Sequence, residues 1–206
     1  MVNRMFSCYT GKEARMSEAY DFNEDQKFTY ADYKAWELKP GERFELIYGV
    51  PYAMSAPNYT HQRILIMLGS EFFTFLKGKT CRVLPAPFDV RLFYNEDDSD
   101  DTVVQPDLTV ICDSKKIGEE GCRGAPDMVV EIVSPSNTVI EMERKLRLYR
   151  EAQVREYWIV EPRNKLINIY LLKDGEYIVR SYGIKDTIRP EVLSGLEIKL
   201  SEIFAE

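Results

Sequence analysis

Seven consecutive residues, Asp127-Met128-Val129-Val130-Glu131-Ile132-Val133, constrain this chain more than any others. The run is nearly all apolar, with no alternation of apolar and polar positions. That is the pattern of a strand covered on both faces. Tyr157-Trp158-Ile159-Val160 is a second buried strand. Such strands need a layer on each side of their sheet.

The remaining elements follow from periodicity and turn chemistry. A short helix spans residues 29–36, with Thr29 as N-cap, and Pro40-Gly41 ends it. Residues 58–77 form the clearest helix. Ile64, Leu65, Leu68, Phe72, Phe75 and Leu76 recur there at spacings of three and four, and Gly78 closes it. Ser134-Pro135-Ser136-Asn137 breaks the first buried strand. A helix over residues 138–152 follows, with Asn137 as its N-cap and Met142, Leu146, Tyr149 and Ala152 as its apolar stripe. Strands at 43–47 and 50–54 flank a tight Tyr48-Gly49 turn. Residues 82–84 run into a strand at 88–93, and 102–104 run through 107–111. Residues 166–172 and 177–180 pair across Asp174-Gly175. The expectation is an α/β (α+β) domain over residues 27–206 around one mixed central sheet. A flexible polar N-terminal tail over residues 1–26 precedes it, and Met16 within that tail is an alternative start.

Composition narrows the function classes. The 206 residues fit one domain at about 150 residues per domain. With 27 Lys and Arg against 34 Asp and Glu, the net charge is −7. That excludes a strongly basic nucleic-acid coat, though not a local basic cleft. The single histidine, His61, excludes a His-cluster zinc site. The cysteines at 8, 81, 112 and 122 form no CxxC pair, which argues against structural zinc. They are expected to be reduced and mostly buried, in a cytoplasmic protein. No apolar run approaches the roughly 20 residues of a membrane span. Between Arg4 and Lys12 there is no apolar signal region. The acidic run at 95–101 lacks the glycine and terminal glutamate of an EF-hand loop. It is expected to be a solvated hairpin loop.

The chemistry-bearing feature is charge inside apolar strands. Asp107 stands between Pro106 and Leu108-Thr109-Val110-Ile111, and Glu131 is embedded in its own apolar run. A buried carboxylate costs several kcal/mol unless a cation or hydrogen bonds compensate. Two on adjacent strands would repel, and a shared divalent cation relieves that. Hard oxygen ligands suit magnesium or manganese. The competing view pairs each acid with its own Arg or Lys. Lys145 sits at the edge of the third helix's stripe, from which its ammonium can reach back over the sheet. The alternative is a lysine running along the helix surface into water.

Pro106-Asp107 followed by Glu131-Ile132-Val133 resembles the PD-(D/E)XK phosphodiesterase motif. That motif normally carries a lysine two residues after the acid, where Val133 stands. Side chains two apart on a strand share a face, so Lys145 on the next helix is the substitute. The wider chain, from about residue 30 to 204, resembles the Uma-type restriction endonuclease family. The likeness rests on Phe44-Glu45-Leu46-Ile47-Tyr48-Gly49, His61-Gln62-Arg63, Val104-Gln105-Pro106-Asp107-Leu108, the run from Pro126 to Ser136, Lys145-Leu146-Arg147-Leu148-Tyr149, and Val154-Arg155-Glu156-Tyr157-Trp158-Ile159-Val160. It departs from that pattern at Tyr48, where Asp is usual, and at Glu141, where another acid, Asp, is usual.

The resemblance implies a restriction endonuclease-like core. It implies that Asp107 and Glu131 hold Mg2+ or Mn2+, with the Ile132 backbone carbonyl a further ligand. Lys145 would orient or deprotonate the attacking water. Glu45 would bind the metal or its water; an ordinary pairing with Arg43 or a lysine is the alternative. His61 is either a packed helix residue or a residue lining the site, with Gln105 and Asn137 as weaker contacts. Arg144, Arg147, Arg150 and Arg155 either engage phosphates or form a solvated face. The leading expectation is a metal-dependent DNA endonuclease acting as a homodimer, since symmetric dimers are the commonest assembly. Its competitors are an inactive nuclease-fold module that binds nucleic acid or protein, and an enzyme acting on a small phosphorylated molecule.

Overall fold

A computed structural model of the chain describes residues 26–134 and 138–205. Of the expected tail, only Gln26 lies within them. Asn137 lies outside the described residues. The elements run α1 (Tyr30–Ala35), β1 (Phe44–Ile47), β2 (Val50–Ala53), α2 (Tyr59–Leu76), β3 (Arg82–Pro85), β4 (Val90–Arg91), β5 (Val103–Val104), β6 (Leu108–Ile111), β7 (Ile117–Gly118), β8 (Gly121–Arg123), β9 (Met128–Ile132), α3 (Val139–Glu151), β10 (Glu156–Glu161), β11 (Leu166–Lys173), β12 (Glu176–Gly183), β13 (Thr187–Ile188), β14 (Ile198–Lys199) and α4 (Leu200–Ile203). The mixed α+β architecture is as expected.

The strands divide between two six-stranded sheets and a small ribbon, β13–β14, where the sequence suggested one central sheet. The first sheet has the order β2-β1-β5-β4-β8-β7, and the second β12-β11-β10-β9-β6-β3. Pairing in the second sheet is antiparallel except for β9 and β10, which run parallel and are joined through α3. That connection is the crossover a parallel pair requires.

Both faces of the second sheet are covered, as the apolar run in β9 demands. Met128, Val130 and Ile132 face one way, and pack with Ile64, Leu68, Phe72 and Leu76 of α2 and with Trp158. Phe72 meets Trp158 edge-on, with ring centroids 5.7 Å apart. Val129 faces the other way, into a cluster with Leu148 and Tyr149 of α3 and Val90, Val104 and Cys122 of the first sheet. Glu131 alternates with Val130 and Ile132 and so shares the α3 side with Val129. Each fully buried aliphatic or aromatic side chain contributes about 1.5–3 kcal/mol, so these two clusters fix how the sheets and helices stack.

Local signals set the helix starts. Thr29 and Asp32 form a reciprocal capping box at α1. The Asn58 side chain accepts from the His61 backbone N–H at 2.9 Å, which seats His61 in the first turn of α2 on its buried face. At α3 the capping side chain is Thr138, one residue after the expected Asn137. The β1–β2 turn has Tyr48 at φ 51° and Gly49 at φ 76°, the left-handed pair that a two-residue hairpin needs.

Two expectations about charge and thiols hold only in part. The acidic loop is not simply solvated. Asp100 is buried and ion-paired with Arg91, which also pairs with Asp98 at 2.9 Å. The loop packs because a cation inside the fold compensates its carboxylates. Cys81 and Cys112 form a disulfide. They follow the β3–β6 register one step past Arg82↔Ile111, a neighbourhood invisible in the sequence spacing. The cysteine argument for a reducing compartment thus loses two of its thiols, while Cys122 is free and buried as expected. Among the described residues, no helix is long and apolar enough to cross a membrane.

Candidate active site

The chain passes from the first sheet to the second between β5 and β6, through Gln105-Pro106-Asp107. The candidate site lies at this crossing. The β6–β9 register pairs Leu108 with Val130; one step further places Asp107 opposite Glu131. The Asp107 Oδ2 accepts a hydrogen bond from the Ile132 backbone N–H at 2.7 Å and lies 3.1 Å from His61 Nε2. Asp107 and His61 are 46 positions apart in the sequence, yet α2 brings them into contact.

Lys145 is the centre of the charge cluster. It is only 8% exposed. It occupies the buried face of α3, not the edge of its stripe, together with Leu148 and Tyr149. Its Nζ donates to Glu131 Oε1 at 2.9 Å and to Glu45 Oε1 at 3.0 Å. Tyr149, one turn along, donates its hydroxyl to the same Glu131 oxygen at 2.7 Å. Glu45 also accepts from the Gln105 backbone N–H at 3.0 Å. The predicted Lys145, Glu131, Glu45 and Gln105 therefore meet in one place. Glu131 and Glu45 share this one lysine, whereas Asp107 meets His61 and a backbone N–H rather than an Arg or Lys of its own.

Burial pushes the Glu131 carboxyl up to about 7; Lys145 opposes this, while Glu45 and Asp107 reinforce it. Burial alone would depress Lys145, but the two glutamates outweigh it and hold the ammonium above the usual lysine range. Burial, then the Glu131 charge, keeps the Tyr149 hydroxyl protonated well above the ordinary phenol range. It is a fixed donor.

Three residues of this network, Tyr149, Asp89 and Tyr33, were not anticipated. Tyr149 was read only as an apolar stripe position, although its four-residue spacing from Lys145 places both on one helix face. Asp89 Oδ1 accepts from the Gln105 side-chain amide at 2.8 Å and from the Tyr33 hydroxyl at 3.3 Å. The signal for Asp89 was the same as for Glu131, an acid inside an apolar run. The expected phosphate-binding arginines are partly engaged elsewhere. Arg144 stacks 4.0 Å from the Tyr52 ring centroid, Arg150 pairs with Glu176, and Arg155 with Asp127. A cleft opens beside the cluster, lined in part by Glu131, Ile132, Glu141 and Lys145.

The donor set suits a hard divalent ion with a partial water shell: two carboxylates on neighbouring strands, with a backbone carbonyl close by. Among the described residues, the hydrogen bonds of Asp107 and Glu131 run through one oxygen of each, Oδ2 and Oε1. Within those residues, the second oxygen of each is left for a ligand. Among the described residues no three His, Cys, Asp or Glu side chains already converge as a metal shell.

Comparison with known proteins identifies the family and the fold. Residues 30–201 match the model of the Uma2 family, described as "Putative restriction endonuclease". An uncharacterized protein of Synechocystis sp. is 24% identical over 180 residues, covering 86% of this chain and 92% of that protein. A crystal structure of "a putative nuclease belonging to DUF820" from Anabaena variabilis superposes with a TM-score of 0.68 at 16% identity, covering 86% of this chain and 98% of that one. The fold is thus shared with that structure, and the chain belongs to the Uma2 family.

Proposed function

We propose that this protein is a metal-dependent endonuclease that hydrolyses phosphodiester bonds of DNA. The observation that carries this reading is the buried Lys145 ammonium. Helix α3 delivers it to within 2.9 Å of Glu131, in place of the strand lysine that Val133 does not provide. Asp107, Glu131 and the Ile132 backbone carbonyl would hold Mg2+ or Mn2+, with Glu45 beside them. When bound, such an ion polarises a phosphate oxygen and lowers the pKa of its water. Lys145 sets a positive charge where negative charge on the phosphate would develop, and the one N–H left over from Glu45 and Glu131 orients the attacking water. Glu45 and Tyr149 hold the lysine and Glu131 in place. A homodimer would present two such clefts to a duplex, and light scattering tests that assembly.

Cleavage of duplex DNA should require divalent metal and disappear in Asp107→Ala. Equal cleavage by both proteins would overturn the assignment. A second reading, a nuclease-fold module without catalysis, is favoured by the ion pairs of Lys145 with Glu45 and Glu131, which compensate these carboxylates without a metal. Titration of Mn2+ separates the two: binding that depends on both Asp107 and Glu131 supports the enzyme.

A further inference from the structure

We propose that His61 is a positioning residue: its Nε2–H holds one oxygen of Asp107 so that the other faces the divalent ion. This rests on Asp107 being a metal ligand. Asp107 stands just before β6, where the chain crosses between sheets, and a carboxylate there has two rotational freedoms to lose. Its Oδ2 meets two groups, the Ile132 N–H at 2.7 Å and His61 Nε2 at 3.1 Å. One comes from the neighbouring strand and the other from α2, so they fix the carboxylate plane from two directions.

The imidazole itself is held firmly. His61 is 8% exposed, and the Asn58 cap anchors its backbone. Among the described residues, its buried Nδ1 has no hydrogen-bond partner. That orphan selects the tautomer. A proton on Nδ1 would be a buried donor without an acceptor, while the Nε2 lone pair would face a carboxylate oxygen. Buried acceptors go unpaired more readily than buried N–H groups. The Nε2–H form avoids both costs and gives Asp107 a donor. Such partners behind a ligand set its orientation, and their loss typically costs 10–100-fold in metal affinity.

The chain's single histidine makes the test direct, because the imidazole nitrogen spectrum contains one residue. In the metal-free wild-type protein, long-range 15N–1H correlation should show a protonated Nε2 and an unprotonated Nδ1, above the range where free imidazole takes up a second proton. A proton on Nδ1 would overturn the proposal whatever the metal does. Calorimetric titration with Mn2+ is the second arm. His61→Phe, which keeps the ring bulk and loses the donor, should weaken binding by about 10–100-fold. His61→Gln, which keeps an N–H near the Nε2 position, should recover most of that loss. Binding by His61→Phe equal to wild type would overturn the positioning role. Equal binding by wild type and Asp107→Ala would instead overturn the ligand assignment on which it rests.

Discussion

Two glutamates and one ammonium share the buried cluster, so its charge does not cancel once both glutamates are ionised. Lys145 contacts both Glu45 and Glu131, and removing it strands two carboxylates. Lys145→Met should therefore cost about 3–5 kcal/mol of stability, measured by urea denaturation. Glu131 carries a pH signature. Its folded form holds a proton up to about 7, against an ordinary value of 4.5. Between those values the folded state binds more protons than the unfolded, so stability falls as pH rises through that window. Glu131→Gln should flatten this dependence in the metal-free protein. An unchanged slope in the variant would show that another group is responsible.

At the scale of elements, the site depends on how strands approach one another. Gly121 in β8 has φ 133°, and a Cβ there would lie 2.3 Å from the Asp89 backbone oxygen. That oxygen accepts from the Cys122 N–H at 2.7 Å, in the β4–β8 contact. Asp89 in turn holds the Gln105 amide, and Gln105 holds Glu45. Gly121→Ala should therefore destabilise the protein by about 1–3 kcal/mol from backbone strain and more from the clash, while disturbing Glu45. Gly175 has φ 83° with open space around it, so Gly175→Ala should cost only about 1–2 kcal/mol. Thermal melts that rank the two the other way would contradict this account. Thr29→Ala, which removes one half of the α1 capping box, should cost about 1 kcal/mol. Such local devices are readable in sequence because capping and turn chemistry act over three or four residues. The close approach of β8 to Asp89 is not, since it joins segments through sheet pairing.

For the whole molecule, the net charge of −7 opposes a polyanion. That figure is already net of internal ion pairs such as those of Arg91 with Asp98 and Asp100. Metal-free protein should bind duplex DNA weakly and with strong salt dependence. Mn2+ should tighten binding, and Asp107→Ala should abolish the gain, as read by fluorescence anisotropy across a salt series. The sequence alone determined the helices α1, α2 and α3, the buried strands β9 and β10, the hairpin turns at Tyr48-Gly49 and Asp174-Gly175, and the anomalous acids Asp107 and Glu131. Those properties depend on period, turn chemistry and the cost of burying charge, all of which are local. Tertiary structure decided the rest: the division into two sheets, the Cys81–Cys112 disulfide, and the meeting of Lys145 with residues 14 and 100 positions away. Such contacts depend on register and on which faces stack, and those are settled only when the whole apolar surface is buried together.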